Sequence, residues 1–307
     1  MGSPLVSIII PVFNGANFLR EAIESALAQT YRPFEIIVVN DGSRDEGKTR
    51  DVALQFEPHI RYVEKENGGV ATALNEGIRA SNGEFISWLS HDDLYVPDKL
   101  EKQVEFIFSK NLTNTIVFSD EEWINTQGKP LGRTSHVSYP PEEFLFYLIR
   151  DCFLHGCSLL IPRNAFQACG TFNPALKTVQ DYEMWLRMAH AGFSFAYLPV
   201  ITGKSRVHPG QDSHTKQHIH KREKSRLFSW ALDTFSPAAL WGEGKNNSQK
   251  YFLFASSFFL RKLPIVGRKA LELSLRGQSP AQRIKFRSMI TGERIMASLR
   301  RAIYRLS

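Results

Sequence analysis

The chain has 307 residues, of which 43% are hydrophobic and 22% are charged. This composition is typical of a folded globular protein and excludes a disordered or fibrous chain. The formal net charge is +7, but residues 245–307 alone carry 14 Lys and Arg against two acids, so the basic character belongs to the C-terminal part.

The first hundred residues alternate between short apolar runs and amphipathic segments. The apolar runs predict buried strands, and the segments with a helical spacing of apolar residues predict helices. Strands are expected at 7–13, 35–40, 60–64 and 84–89, and helices at 18–29, around 53–54 and at 70–80. This alternation predicts an α/β fold: a Rossmann-like, mostly parallel sheet with helices on both faces.

Further strands are expected at 115–120, 158–162 and 195–199, with a helix at 181–190. After about residue 225 the sequence changes to helical, aromatic and basic segments. We therefore predict an α/β domain over 1–225 and a helical, basic extension over 226–307.

Nothing in the sequence predicts a membrane-spanning helix or a secretion signal. No run reaches the roughly 20 apolar residues that span a bilayer, and the start has no basic segment before its short apolar run. The three cysteines Cys152, Cys157 and Cys169 form no C-x-x-C pair, which disfavours a disulfide framework or a zinc site. We expect reduced thiols and a cytoplasmic location.

Three polar turns follow predicted strands, namely Asn14-Gly15, Asn40-Asp41-Gly42 and His91-Asp92-Asp93. Ligands of parallel α/β sheets bind beyond the carboxyl ends of the strands, so these turns are candidates for a binding site. Asn, Asp and Gly are also the usual residues of plain turns, which is the alternative for Asn40-Asp41-Gly42.

The adjacent carboxylates of Asp92 and Asp93 repel each other unless something compensates their charge. A divalent cation such as Mg²⁺ or Mn²⁺ would do so, since it prefers oxygen ligands. The alternative is that these acids cap the helix expected after Pro97.

Two later polar residues are candidates for chemistry. Asp181 begins a predicted helix, where it is either the helix cap or a general base facing a cleft. His208 lies in the polar loop SRVHPGQDSH, where an imidazole could bind Mn²⁺. The dinucleotide, P-loop and nucleophile-elbow motifs are missing, which disfavours a dehydrogenase, an NTPase and a hydrolase.

Together these sequence motifs resemble those of the family 2 glycosyltransferases, which have the GT-A fold. The resemblance covers about residues 4–215 and rests on four segments in order: VSIIIPVFNGANFLREAIESALAQTYRPFEIIVVNDGSRD, ENGGVATALNEGIRASNGEFISWLSHDD, TVQDYEMWLRMAHAG and RVHPGQDS. Two positions depart from the family pattern. Ser90 stands where Asp is frequent, and Gln180 stands where Glu often precedes the base.

The resemblance implies a role for each matching residue. Asp181 would be the catalytic base, and Asp93 and His208 would hold Mn²⁺ or Mg²⁺. The nucleotide-sugar would contact Pro11, Phe13, Asp41, Asn67 and Asp92.

The resemblance implies an inverting transferase that moves a sugar, with UDP as the expected carrier, to a hydroxyl of a glycan or lipid-linked acceptor in bacterial surface polysaccharide or glycolipid synthesis. Two alternatives remain. An inactive member would only bind a sugar nucleotide or a partner, although the presence of Asp93, Asp181 and His208 argues against it. A nucleotidyltransferase would need a basic phosphate loop, which PVFNGANF lacks.

The end of the chain has the pattern of an interfacial helix. Residues 294–306 place apolar side chains on one helical face beside several arginines. We expect this segment to attach the protein peripherally to an anionic membrane surface on the inner face of the membrane. The alternative is a helix packed on the catalytic domain. No nucleic-acid partner is expected, because nothing in the catalytic part supports one.

Deletion of residues 294–307 should weaken binding to anionic liposomes, because it removes both the apolar face and the arginines. Added salt should reproduce part of the loss, since it screens the attraction to the lipid headgroups. Co-sedimentation of the full chain and the truncated chain measures this. Equal binding of the two would favour the packed helix.

Overall fold

The computed structural model describes residues 2–211, 215–276, 278–280 and 284. They form two compact units. Unit 1 comprises the described residues within Met1–Pro141 and Phe153–Lys216, and unit 2 comprises Glu142–Cys152 and the described residues from Gln217 onward. The functional division predicted after residue 225 stays a prediction. The interfacial segment 294–306 lies outside the described residues.

Unit 1 is an α/β unit with two sheets. Its strands are β1 Val6–Val12, β2 Phe34–Asn40, β3 Arg61–Glu64, β4 Phe85–Trp88, β5 Leu94–Tyr95, β6 Thr115–Ile124, β7 Pro130–Arg133, β8 Ile161–Pro162 and β9 Ser194–Arg206. Its helices are α1 Leu19–Leu27, α2 Lys48–Leu54, α3 Val70–Ala80, α4 Lys99–Ser109, α6 Arg163–Cys169 and α7 Gln180–His190.

The first sheet has the strand order β3-β2-β1-β4-β8. The strands β3, β2, β1 and β4 are parallel, and only β8 is antiparallel. Every residue of β1 is buried, as its continuous apolar sequence predicts. The carboxyl ends of β1, β2 and β4 therefore meet at one edge of the sheet, and the predicted mostly parallel α/β sheet is confirmed.

A close approach of α3 to β1 depends on Gly77. A Cβ atom at this position would lie 2.3 Å from Cγ2 of Ile9, so a larger residue would displace the strand's side chain. The apolar face of α3 also buries Ala73, Leu74 and Ile78.

The second sheet has the order β5-β9-β6-β7. The sequence predicts a short strand at 195–199, but β9 runs from Ser194 to Arg206 because it pairs with β6 along its length and with β5 near its end. This longer strand leads directly into the loop that carries His208.

Unit 2 is helical in its described part. Its helices are α5 Phe144–Asp151, α8 Gln217–Thr234, α9 Pro237–Trp241, α10 Asn247–Leu260 and α11 Pro264–Leu275. The apolar run YFLFASSFFL lies in α10, where Phe254 and Phe258 are fully buried. Phe258 stacks on Phe228 at 5.4 Å between ring centroids. Across the described residues, every helix is too short or too polar to cross a membrane.

Lys99 is fully buried in unit 1. Its Nζ donates to Oε1 of Gln103 at 2.6 Å and to the carbonyl of Leu159 at 3.3 Å. Burial lowers the pKa of Lys99 from 10.5 to about 7, and the more distant acidic groups of Cys157 and Glu121 offset this only in part. The folded chain therefore binds fewer protons than the unfolded chain between these two pH values.

Replacing this lysine, in Lys99→Met, should change how stability depends on pH. Raising the pH from 7 towards 10 should stabilise the wild type relative to the variant, by up to about 1.4 kcal/mol per pH unit. Urea unfolding of both proteins at several pH values measures the difference. Lys102→Met is the control, on the exposed side of the same helix. Its free energy of unfolding should depend on pH in the same way as that of the wild type. A constant difference between wild type and Lys99→Met would contradict the prediction.

Candidate active site at the carboxyl edge of the first sheet

The turns after β1 and β2 are tied together by hydrogen bonds. The backbone N–H of Asn14 donates to Oγ of Ser43 at 2.8 Å, and Oδ1 of Asn14 accepts the N–H of Arg44 at 2.7 Å. Asn14 has a φ of 49°, a conformation that Asn tolerates better than most residues. These bonds place Phe13, which is 42% exposed, at the same edge as Asp41.

Asp41 is buried and its carboxylate is already well bound. Oδ1 accepts Nζ of Lys65 at 2.5 Å and the N–H of Gly68 at 3.1 Å, while Oδ2 accepts the N–H of Gly69 at 2.7 Å. The side chain of Asn67 donates to the carbonyl of Asp41 at 2.8 Å. The carboxylate thus holds the loop that leads into α3.

The other residues predicted to contact the nucleotide-sugar lie around this loop. Pro11 is buried in β1 opposite Val39 of β2. Asn67 lies next to the carbonyl of Asp41, and Phe13 offers a partly exposed ring. The structure brings Pro11, Phe13, Asp41 and Asn67 to one edge, and their contact with a nucleotide stays a prediction.

The turn after β4 brings Asp92 to His208. Oδ2 of Asp92 lies 2.9 Å from Nε2 of His208, and both side chains are about 15% exposed. The His208 ring also packs against Phe18, with 5.4 Å between centroids. A carboxylate oxygen and an imidazole nitrogen at this spacing are suitable ligands for Mn²⁺.

The carboxylate of Asp93 binds Arg206 and Cys157 and has no contact with His208 among the described residues. Its Oδ1 accepts the N–H of Arg206 at 2.8 Å, and its Oδ2 accepts the thiol of Cys157 at 3.3 Å. Burial, followed by the charge of Asp92, raises the pKa of Asp93 to about 7. The contact of His208 is with Asp92, while Asp93 is bound to the protein interior.

Arg206 is the central residue that sequence reasoning missed. Its guanidinium is buried, donates to the carbonyl of Asp92 at 2.9 Å and to Glu21 at 2.8 Å, and lies over the Phe18 ring. It therefore fixes the turn that carries the adjacent acids. The sequence signal was its position two residues before His208.

A second pair lies next to Asp93. Glu121 on β6 is 2% exposed. Its carboxylate lies 2.9 Å from Nδ1 of His155, and the imidazole is 47% exposed. Ligand atoms of Asp93, His155 and Cys157 lie within 4.8 Å of one another. Sequence reasoning missed this pair, because Glu121 and His155 are far apart in the chain.

Asp181 lies in the first turn of α7 and is not the helix cap. The capping position belongs to Val179, and no side chain caps the helix. Oδ1 of Asp181 accepts the N–H of Tyr182 at 2.8 Å. Next to it, Oε1 of Gln180 is buried and has no hydrogen-bond partner in the part of the chain that is described.

The pKa of His155 responds to acids from several elements of the site. Partial burial lowers the pKa of His155, but the charge and hydrogen bond of Glu121, with the charges of Asp93 and Asp181, outweigh this and raise it to about 10. The imidazole thus lies within the electrostatic reach of both the turn after β4 and the start of α7.

A mostly parallel sheet with acids and a histidine at its carboxyl edge agrees with the GT-A fold that the sequence resemblance implies. The model of glycosyl transferase family 2 matches residues 7–170, and the chain belongs to this family. The predicted family is confirmed.

Two relatives support the assignment. An uncharacterized glycosyltransferase of Rickettsia felis is 48% identical over 233 residues, which are 74% of this chain and 38% of the relative. The putative teichuronic acid biosynthesis glycosyltransferase TuaG of Bacillus subtilis is 32% identical over 197 residues, which are 62% of this chain and 74% of the relative. This chain spans less than two fifths of the Rickettsia felis relative.

Two solved structures share the fold. S. aureus TarS 1–349 in complex with UDP-GlcNAc has a TM-score of 0.60 and 16% identity, and the match covers 90% of this chain and 93% of TarS 1–349. The mannosyltransferase PcManGT from Pyrobaculum calidifontis, in complex with GDP-Man and Mn²⁺, has a TM-score of 0.59 and 19% identity. This match covers 97% of this chain and 87% of PcManGT. At these identities the likeness concerns the fold alone, and it confirms the predicted GT-A fold.

Proposed function

We propose that this glycosyltransferase is an inverting enzyme that moves a sugar from a nucleoside-diphosphate sugar to a hydroxyl of a glycan or lipid-linked acceptor. The observation that carries the proposal is the clustering at one sheet edge. Asp92 and His208 are 2.9 Å apart, and the nearby His155 experiences the charges of Asp93 and Asp181. The Asp92–His208 pair supports a cation site at this edge, and Asp181 is the candidate base that the family motif implies.

UDP is the nucleotide we propose, since TarS is described with UDP-GlcNAc. GDP is the competing carrier, because PcManGT is described with GDP-Man. A surface polymer or glycolipid is the proposed product class. It is supported by TuaG, named for teichuronic acid synthesis, and by the chondroitin synthase of Pasteurella multocida, 26% identical over 290 residues. A cytoplasmic location, with attachment to the inner face of the membrane, completes the proposal.

The loop around Asp41 would receive the nucleoside. Because the Asp41 carboxylate already accepts Lys65, Gly68 and Gly69, it would act chiefly by fixing this loop, with Phe13 as the exposed apolar surface for the base. Fixing a loop before binding lowers the entropy lost on association.

The cation would be held by Asp92 and His208, whose donor atoms suit Mn²⁺ or Mg²⁺. Bound there, it would supply Lewis-acid neutralisation of the diphosphate leaving group. Asp93, the ligand predicted from the sequence, remains the competing carboxylate. Its bonds to Arg206 and Cys157 favour a role in shaping the turn.

Asp181 would act as the general base. The acceptor oxygen forms its bond to the anomeric carbon as the bond from that carbon to the diphosphate breaks, and the hydroxyl proton passes to Asp181. Attack from the face opposite the leaving group inverts the anomeric centre in one displacement. Such a base is typically worth ~10²–10⁴-fold in rate.

Removal of the divalent cation should abolish transfer, and substitutions of Asp92 and Asp93 should affect the binding of the cation differently. EDTA should stop the reaction, and Mn²⁺ or Mg²⁺ should restore it. Asp92→Asn should weaken Mn²⁺ binding at least about tenfold, since it removes a charged ligand. Asp93→Asn should keep most of the affinity.

Calorimetric titration with Mn²⁺, together with a melting curve of each variant, measures these effects. Full activity in EDTA would remove the metal from the proposal. Loss of Mn²⁺ affinity in Asp93→Asn alone would assign the ligand to Asp93.

Asp181→Asn should slow transfer by roughly 10²-fold or more while donor affinity stays nearly unchanged, because it removes only the basic carboxylate. Stability should also change little, since Asp181 does not cap its helix. The matched control is Glu183→Gln, one position beyond Tyr182 and paired with Arg187. It should keep its turnover.

The measurement is the release of nucleoside diphosphate and the transfer of labelled sugar at saturating donor. Near-wild-type turnover of Asp181→Asn would refute the assignment of the base. A wild-type chain that binds the donor but neither transfers nor hydrolyses it would favour the inactive, binding-only alternative.

A further inference from the structure

The turn between α10 and α11 presents apolar and basic side chains together. Ile265, at the start of α11, is 71% exposed, and Leu260, at the end of α10, is 40% exposed. Lys262 and Arg268 lie on either side of Ile265 in the sequence and are also exposed. Residues 260–269 contain four Lys and Arg and no acid. Leu260, Lys262, Ile265 and Arg268 together form the basic turn.

The inner side of this turn is already packed, so Ile265 is not a core residue. Its near neighbours Leu263 and Val266 are 2% and 0% exposed. A Cβ atom on Gly267 would lie 3.0 Å from the Phe259 ring, so α10 and α11 are in close contact next to the turn. Single exposed apolar residues are common on protein surfaces, so the meaning of Ile265 depends on the charges beside it.

The two basic side chains of this turn are not used inside the protein. Lys269, the next residue after Arg268, forms an ion pair with Asp233 and donates to the carbonyl of Ser229 at 2.9 Å. In contrast, the side chains of Lys262 and Arg268 form no ion pair or hydrogen bond with any described residue. Their charges are therefore available to an anionic partner.

The backbone at Lys262 gives a second reason to look for a partner. Lys262 has a φ of 60°. Its N–H donates to the carbonyl of Phe259 at 3.1 Å, and the N–H of Leu263 donates to the carbonyl of Phe258 at 2.8 Å. This pattern is the Schellman motif, whose left-handed position is usually Gly because a Cβ atom is disfavoured there. The lysine therefore costs some stability, and what it adds relative to glycine is an exposed ammonium group.

Charge complementarity favours a lipid surface as the partner. Residues 277–307 carry seven Lys and Arg and one acid, so Lys262 and Arg268 would repel them. The same turn of a second copy would be repelled for the same reason. An anionic bilayer offers headgroup phosphates to the two basic side chains and an apolar layer to Ile265.

We propose that the basic turn docks on an anionic bilayer surface, with Ile265 inserted below the headgroups and Lys262 and Arg268 bound to lipid phosphates. The inference rests on the membrane attachment included in the proposed function and names a surface for it in unit 2. This surface is separate from residues 294–306. Two weak contacts on one chain reinforce each other, because binding through the second becomes intramolecular.

The test is co-sedimentation of the full chain with vesicles of equal parts phosphatidylcholine and phosphatidylglycerol. The variants are Ile265→Ser, Lys262→Gly and Arg268→Gln. The matched controls are Leu131→Ser and Arg133→Gln on β7, where both side chains are exposed. Vesicles of pure phosphatidylcholine show the share of binding that depends on anionic lipid, and a melting curve of each variant reports on its fold.

Ile265→Ser should weaken binding to the mixed vesicles about tenfold, since it removes an inserted apolar side chain. Lys262→Gly and Arg268→Gln should each weaken it about fivefold, the value of one basic residue near an anionic surface. Lys262→Gly should also raise the melting temperature, because Gly adopts a positive φ without a Cβ clash. A variant that is more stable and binds less cannot have lost binding through unfolding. The β7 variants should bind like the wild type.

Unchanged binding of all three variants would overturn the assignment of this surface and leave attachment through residues 294–306 standing. Equal losses in the β7 variants would show that binding is not specific to the turn. Equal binding of the wild type to pure phosphatidylcholine would overturn the role of the anionic headgroups.

Two further results would also overturn the proposal. A wild-type dimer in analytical ultracentrifugation that Ile265→Ser dissociates would assign the turn to a second copy of the chain. Failure of the wild type to bind either kind of vesicle would overturn the proposed membrane attachment and this inference together. Sugar transfer in solution is measured separately, so the proposed chemistry would stand in every case.

Discussion

The site depends on how unit 1 compensates the negative charge of several acids that lie close together at one sheet edge. Asp92 and Asp93 lie in the turn after β4, Glu121 lies on β6, and Asp93 and Glu121 are almost fully buried. Carboxylates buried together are unfavourable unless cations or N–H donors meet them. Arg206 meets this need for the turn after β4, and His155 meets it for Glu121. These contacts thereby fix the positions of the acids at this edge.

This arrangement requires β9 to extend as far as it does. Arg206 is the last residue of β9, and its backbone N–H and side chain both reach the Asp92–Asp93 turn. His208 follows two residues later and meets Asp92. Parallel pairing of β6 with β9 also places Glu121 opposite Gly203, near the same end. The second sheet therefore brings Arg206, His208 and Glu121 to the carboxyl edge of the first.

Unit 2 follows a different physical principle, since burial of aromatic side chains stabilises it. Phe146, Trp241, Phe254 and Phe258 are fully buried, and Glu143 forms ion pairs with Lys245 and Lys250. The segment 142–152 joins this unit although its neighbours in the chain belong to unit 1. Part of the basic and aromatic sequence is therefore used in folding, which a count of charges and apolar residues could not reveal.

The sequence by itself determined the strands β1, β2 and β4, the helices α3 and α7, and the acids that follow the strands. These features depend on neighbours in the chain: continuous apolar runs, a helical period and turn residues. The family also followed from ordered motifs. Only the tertiary structure decided that His208 meets Asp92, that Asp93 meets Arg206 and Cys157, and that Glu121 holds His155. Such pairs join residues 34 to 116 positions apart, and their choice is set by sheet pairing and by the need to compensate buried charge, neither of which leaves a local pattern in the sequence.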